Sequence, residues 1–162
     1  MAIRCEQKIL RQGKMIAEQR QNEQNLIVNN FWNRVNIVKE CHDDAIDFID
    51  TAKALCGNGL GGKFETWCKS QNVTYDRYNL GFRICCLSDN KQSAYVTYYP
   101  LEDMITFSWS GWGMSECYST TKDAEYFISH YLKDKKYDKG LTDLSIRLKP
   151  FLNAFFEWVE TL

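Results

Sequence analysis

The stretch Gly57-Asn58-Gly59-Leu60-Gly61-Gly62-Lys63 is where this sequence comes nearest to a known chemical motif. Gly57, Gly59 and Gly62 fit the G-x-G-x-x-G spacing. Gly57 with Gly62-Lys63 also fits the phosphate-loop pattern up to its last letter. Such loops bind phosphate because bare backbone N–H groups approach its oxygens, a helix N-terminus adds positive potential and the lysine reaches a terminal phosphate. Both motifs need a strand before the glycines, whereas the residues before Gly57 carry a strong helical pattern. Phe64 stands where a Mg²⁺-ligating hydroxyl is needed, and no series of β-α-β units follows. The fitting reading is a hinge between two helices.

Five carboxylates, Glu40, Asp43, Asp44, Asp47 and Asp50, crowd one helical face by i, i+3/i+4 spacing. Carboxylates so placed could hold Mg²⁺ through waters and a substrate phosphate. That chemistry usually recruits a second acidic helix, which is missing here, so a solvated or ion-paired face is expected. Cys41 and His42 are adjacent and diverge by about 100° on a helix, which prevents a nucleophilic dyad. His42 falls on an apolar seam and is expected to be buried and hydrogen-bonded. His130 has no identifiable partner, and no G-x-S-x-G or H-E-x-x-H signature occurs. No catalytic residue, metal site or cofactor is assigned, and the balance of residues is against catalysis.

The seven cysteines, Cys5, Cys41, Cys56, Cys68, Cys85, Cys86 and Cys117, are odd in number and irregularly spaced. Free thiols in a reducing, cytoplasmic setting are expected, with Cys41, Cys56, Cys68 and Cys86 acting as small hydrophobes. The opening residues lack the apolar core of a signal peptide, and no apolar run approaches the ~20 residues of a membrane span. With 20 Lys+Arg against 21 Asp+Glu, the chain is not a globally basic nucleic-acid binder.

The groups left to consider are surface groups. Arg4, Lys8 and Arg11 share a helical face, and residues 1 to 20 hold five basic and two acidic side chains. This stripe suits an acidic protein surface, including the chain's own acidic stripe after a fold-back near Asn29-Asn30 or in a second copy. It also suits nucleic-acid phosphates. Tyr95, Tyr98 and Tyr99 lie on one expected strand and cannot all face inward. Trp112, in a glycine-flanked turn after Trp109, is the better candidate for exposure, Trp109 being read as core. Exposed Tyr and Trp are enriched at protein interfaces.

Composition then assigns the elements that must carry these groups. Residues 1 to 56 contain one Gly, no Pro and three of the 23 aromatics, so the first part reads as helix. Phe31, Val35, Val38, His42, Ala45, Ile49 and Ala52 recur at 4-3 spacing along one helical seam. A short helix is expected over Lys63–Gln71, then strands Phe82–Leu87, Ser93–Tyr99 and Met104–Trp109 joined by tight turns. A helix capped at Thr120 or Thr121 and a last helix capped near Thr142, kinked or divided at Pro150, should complete the chain, with 133–140 a charged linker.

The expected fold class is α+β: a long N-terminal helix or helical hairpin, a three-stranded or slightly larger antiparallel meander, and two C-terminal helices packed on the sheet. The expected division is a helical arm over 1–56 and an α+β domain over 57–162. The expected function is non-catalytic macromolecular binding, most simply of another protein, by an adaptor or an occluding inhibitor. Tyr95, Tyr98, Tyr99, Trp112, Arg4, Lys8 and Arg11 are its contact residues, and self-association through the N-terminal helices is a variant of it. A nucleic-acid-associated protein using the basic helix is the alternative. An enzyme of unrecognised class using the Gly57–Lys63 loop is the third hypothesis. No membrane contact is expected.

Overall fold

A computed structural model describes the chain except residues 89–91, 112–113, 120–123 and 134; it gives backbone alone for 85–88, 92, 110, 111, 114–119, 124 and 127. The element order is α1 (Ala2–Lys39), α2 (His42–Gly57), α3 (Gly61–Lys69), β1 (Thr74–Asp76), β2 (Gly81–Ser88), β3 (Gln92–Tyr99), β4 (Met104–Gly111), β5 (Met114–Ser119), α4 (Ala124–His130) and α5 (Lys135–Val159). This is the α+β architecture the sequence implies. Two compact units divide it, Met1–Asn33 and Arg34–Leu162.

The first unit is helical, and residues 1 to 27 are exposed. The helix passes through Asn29 and Asn30, so no fold-back occurs there. In the second unit the helix breaks at Glu40-Cys41, where α1 ends and α2 begins. The Cys41 amide donates to the Val38 carbonyl at 3.1 Å, and the Ala45 amide to the Cys41 carbonyl at 2.8 Å. At this turn Cys41 rather than His42 faces inward, while Ala45, Ile49 and Ala52 keep the expected seam. His42 remains 44% exposed beside Asp43, a correction to its expected burial.

All described strand pairings are antiparallel, in the order β1-β2-β3-β4-β5. The register sets Phe82 opposite Tyr98, Val96 opposite Phe107 and Tyr98 opposite Ile105. Alternation then directs Phe82, Ile84, Val96, Tyr98, Ile105 and Phe107 to one face, where all are buried. α2 and α5 pack on that face: the Phe48 ring touches those of Phe64, Tyr75, Phe82, Phe151 and Phe155 at 4.2–5.9 Å.

α5 differs from its expected form at both ends. It begins at Lys135 because Tyr137, Gly140 and Leu141 already lie on its buried side, so the charged run 133–140 is largely helix. It also continues through Pro150. Proline deprives the carbonyl four residues earlier of a donor; here Ile146 and Pro150 are both exposed, so water can serve that carbonyl. Arg34 ties the last turns of α1 to α5, donating to Asp138 and, at 2.9 Å, to Thr142 Oγ1.

Candidate functional site

The glycine stretch joins helix to helix. α2 runs to Gly57, the Leu60 amide donates to the Leu55 carbonyl at 2.9 Å, and α3 starts at Gly61. Gly59 has φ +81°, a conformation that costs other residues strain. Lys63 is exposed, in an open groove with Trp67 and Trp158, whose rings stack at 5.4 Å. Phe64 is 3% exposed and belongs to the core.

The acidic stripe is a solvent-facing surface. Glu40, Asp43, Asp47 and Asp50 are exposed, and Asp44 pairs with Lys149 at 4.0 Å. Among the described residues no three His, Cys, Asp or Glu side chains are grouped to hold a metal ion. His130 is exposed, its ring stacked on Tyr126 at 4.0 Å and its Nδ1 3.0 Å from the Tyr126 carbonyl.

The tyrosines of β3 divide by alternation. Tyr98 is fully buried, which corrects its assignment as a contact residue: its ring is part of the core under Phe82 and Ile105. Its hydroxyl has no hydrogen-bond partner among the described residues. Burial, followed by Asp103, Cys41 and Asp43, pushes its acidity well down, keeping the phenol neutral. Tyr95 and Tyr99 take the other face and are half-buried, with the Arg83 guanidinium 4.9 Å from the Tyr95 ring centre. The Tyr99 ring lies so close to Gly81 that a β-carbon there would sit 2.8 Å from Tyr99 Cε1. Trp109 is half-buried rather than core, and Trp112 lies outside the described residues.

On the arm, Arg4, Lys8 and Arg11 are exposed and make no ion pair among the described residues. Ile3, Ile9, Leu10, Ile16 and Ile27 are 45–70% exposed. Ile3 and Leu10, like Ile9 and Ile16, are seven residues apart and form neighbouring rows on a helix. Arg11, two residues beyond Ile9, points about 160° away. Met15 and Leu26, also exposed, fall on the side of Lys8 and Arg11, and Lys14 and Arg20 fall beside the apolar rows, so exposed apolar residues are spread around the arm.

A cleft that the sequence reading missed lies in the second unit. Ala52, Lys53 and Cys56 of α2, Phe64 of α3, Tyr75 of β1, and Arg77, Tyr78 and Leu80 of the following turn line a space of about 320 Å³. Asp76 builds that turn. Its Oδ1 accepts from the Tyr78 and Asn79 amides at 3.0 and 3.2 Å, and its Oδ2 from Asn79 Nδ2 at 2.9 Å. Burial alone would raise the Asp76 pKa; the Asn79 and Tyr78 hydrogen bonds and Arg83 outweigh it and hold the carboxyl below its usual value. Tyr75 is pushed up to about 12 by burial, then by Cys56, Cys68 and Asp76. Cys68 is likewise pushed up to about 12, chiefly by burial. Cys56, expected to be an apolar packing residue, is exposed instead. The only local signal in the sequence was the Asp76-x-x-Asn79 turn pairing.

Among the described residues no helix is long and apolar enough to cross a membrane. Comparison with protein-family models, curated proteins and solved structures finds no match to this chain.

Proposed function

We propose that this chain is a non-catalytic binding protein whose helical arm engages another protein. One observation carries the reading: Ile3, Ile9, Leu10, Met15, Ile16, Leu26 and Ile27 are all at least 45% exposed on one helix. Isolated helices of this kind are marginal in water, and apolar rows left open in this way favour a protein partner. An adaptor and an occluding inhibitor both use such an arm. A reducing, cytoplasmic setting belongs to the same proposal and suits the free thiols Cys5, Cys41, Cys56 and Cys68.

The nucleic-acid alternative is favoured by one feature, the exposed Arg4, Lys8 and Arg11 without carboxylate partners among the described residues. Two double variants separate the readings in affinity capture from the native cell with mass measurement of the intact complex. The protein-binding reading expects Ile9→Glu/Ile16→Glu to abolish the complex and Lys8→Glu/Arg11→Glu to retain it. Steep loss of binding with added salt, together with loss in the Lys8→Glu/Arg11→Glu variant, would establish the nucleic-acid reading instead.

A further inference from the structure

We infer that the cleft between α2, α3 and the turn after β1 binds a small carboxylate with a flat apolar body. Its rings would rest against Phe64 and Tyr75 and its carboxylate between Lys53 and Arg77. The inference is independent of the arm and of its partner.

Size sets the first limit. A space of about 320 Å³ lies at the lower end of the roughly 300–1,000 Å³ range of ligand pockets, which suits one or two fused rings and excludes a dinucleotide. Lining chemistry sets the second. Ala52, Phe64, Tyr75 and Leu80 supply an apolar floor and wall, and no carboxylate lines the space.

Charge selects the ligand's sign. Lys69 pairs with Glu65 at 3.9 Å and Arg83 with Asp76 at 3.9 Å, while Lys63 of α3 makes no ion pair among the described residues. Lys53 and Arg77 make no ion pair among the described residues, although Glu65 acts on Arg77 through space. A cationic ligand would be repelled by both, whereas a carboxylate can accept from both, and a guanidinium can grip it through two N–H groups.

The turn on one side of the cleft is braced. The Arg77 guanidinium carbon lies 5.2 Å from the ring centre of the exposed Tyr78. Asp76 closes the turn with three hydrogen bonds, and Leu80 leaves it with φ +56°.

The test is an NMR titration of the full-length protein with 2-naphthoate, and with neutral 2-naphthalenemethanol as its control. The expected result is saturable shifts at the Cys56, Tyr75 and Tyr78 amides, with the alcohol weaker by about tenfold or more. Lys53→Glu/Arg77→Glu changes exposed side chains, so its circular dichroism should match the parent. It should lose naphthoate binding by a similar factor and gain affinity for cationic 2-naphthylmethylamine. Equal affinity for acid and alcohol, shifts outside the cleft only, or unchanged naphthoate affinity in the charge-reversed protein would each overturn the inference. An arm variant such as Ile9→Glu/Ile16→Glu should bind naphthoate as the parent does, so failure here is distinguishable from failure of the partner-binding proposal.

Discussion

The ring of Phe48 on α2 lies 4.2 Å from that of Phe155 on α5, with their planes tilted by 56°. Both side chains are fully buried, and Phe48 also touches Phe64 and Tyr75, which wall the cleft. Core and cleft therefore share one aromatic keystone. Phe48→Ala should cost about 3–5 kcal/mol in urea denaturation, by lost burial and the cavity left behind. Phe48→Leu, which keeps most of the volume, should cost distinctly less.

Tyr98 offers the opposite case. Its hydroxyl is buried without a partner among the described residues, so the folded protein bears its desolvation without a compensating hydrogen bond. Tyr98→Phe should leave stability unchanged or raise it by about 1–2 kcal/mol. A loss of that size in thermal or urea unfolding would mean that the hydroxyl is paired.

Gly81 and Tyr99 should behave as a coupled pair. A β-carbon at Gly81 would sit 2.8 Å from the Tyr99 ring and 2.9 Å from Thr97 Cγ2. Gly81→Ala is expected to destabilise by about 1–3 kcal/mol through overpacking. In a Gly81→Ala/Tyr99→Ala protein much of that penalty should vanish, giving a double-mutant coupling of at least about 0.5 kcal/mol.

Asp76 gives the turn beside the cleft an acid limit. Its pKa is lowered on folding, so its stabilising contribution is present above the unfolded value and is lost as pH falls through the folded one. Urea midpoints should therefore fall below about pH 4, and fall less steeply in Asp76→Asn, which has no charge to lose there. At neutral pH, Asp76→Ala should cost about 1.5–3 kcal/mol, the range for hydrogen bonds to a charged group.

Much of the fold was legible because its signals are local. The strands around Phe82–Leu87, Ser93–Tyr99 and Met104–Trp109 alternate clearly, and the turns between them are short. β1 has only three residues, too few to show a period, and β5 reads Met-Ser-Glu-Cys-Tyr-Ser, with little apolar alternation. The start of α5 was hidden by charge: its lysines and aspartate mask Tyr137, which is buried through contacts with Phe107 and Tyr131. Periodicity alone does not choose between the adjacent Cys41 and His42; at the turn between α1 and α2 it is Cys41 that faces inward, with Ala45, Ile49 and Ala52 on the seam as the spacing predicts. The cleft was illegible for another reason. Its residues come from α2, α3 and the turn after β1, and only tertiary packing brings Lys53, Phe64 and Arg77 together.

The most direct measurement is amide hydrogen exchange across residues 2–30, taken on the isolated dilute protein and again on the complex it forms with its captured partner. Fast exchange alone and strong protection in the complex, concentrated around Ile9, Leu10, Ile16 and Ile27, is the predicted result. Identical exchange in both states, with protection arising only elsewhere, would contradict the arm's role as the contact surface.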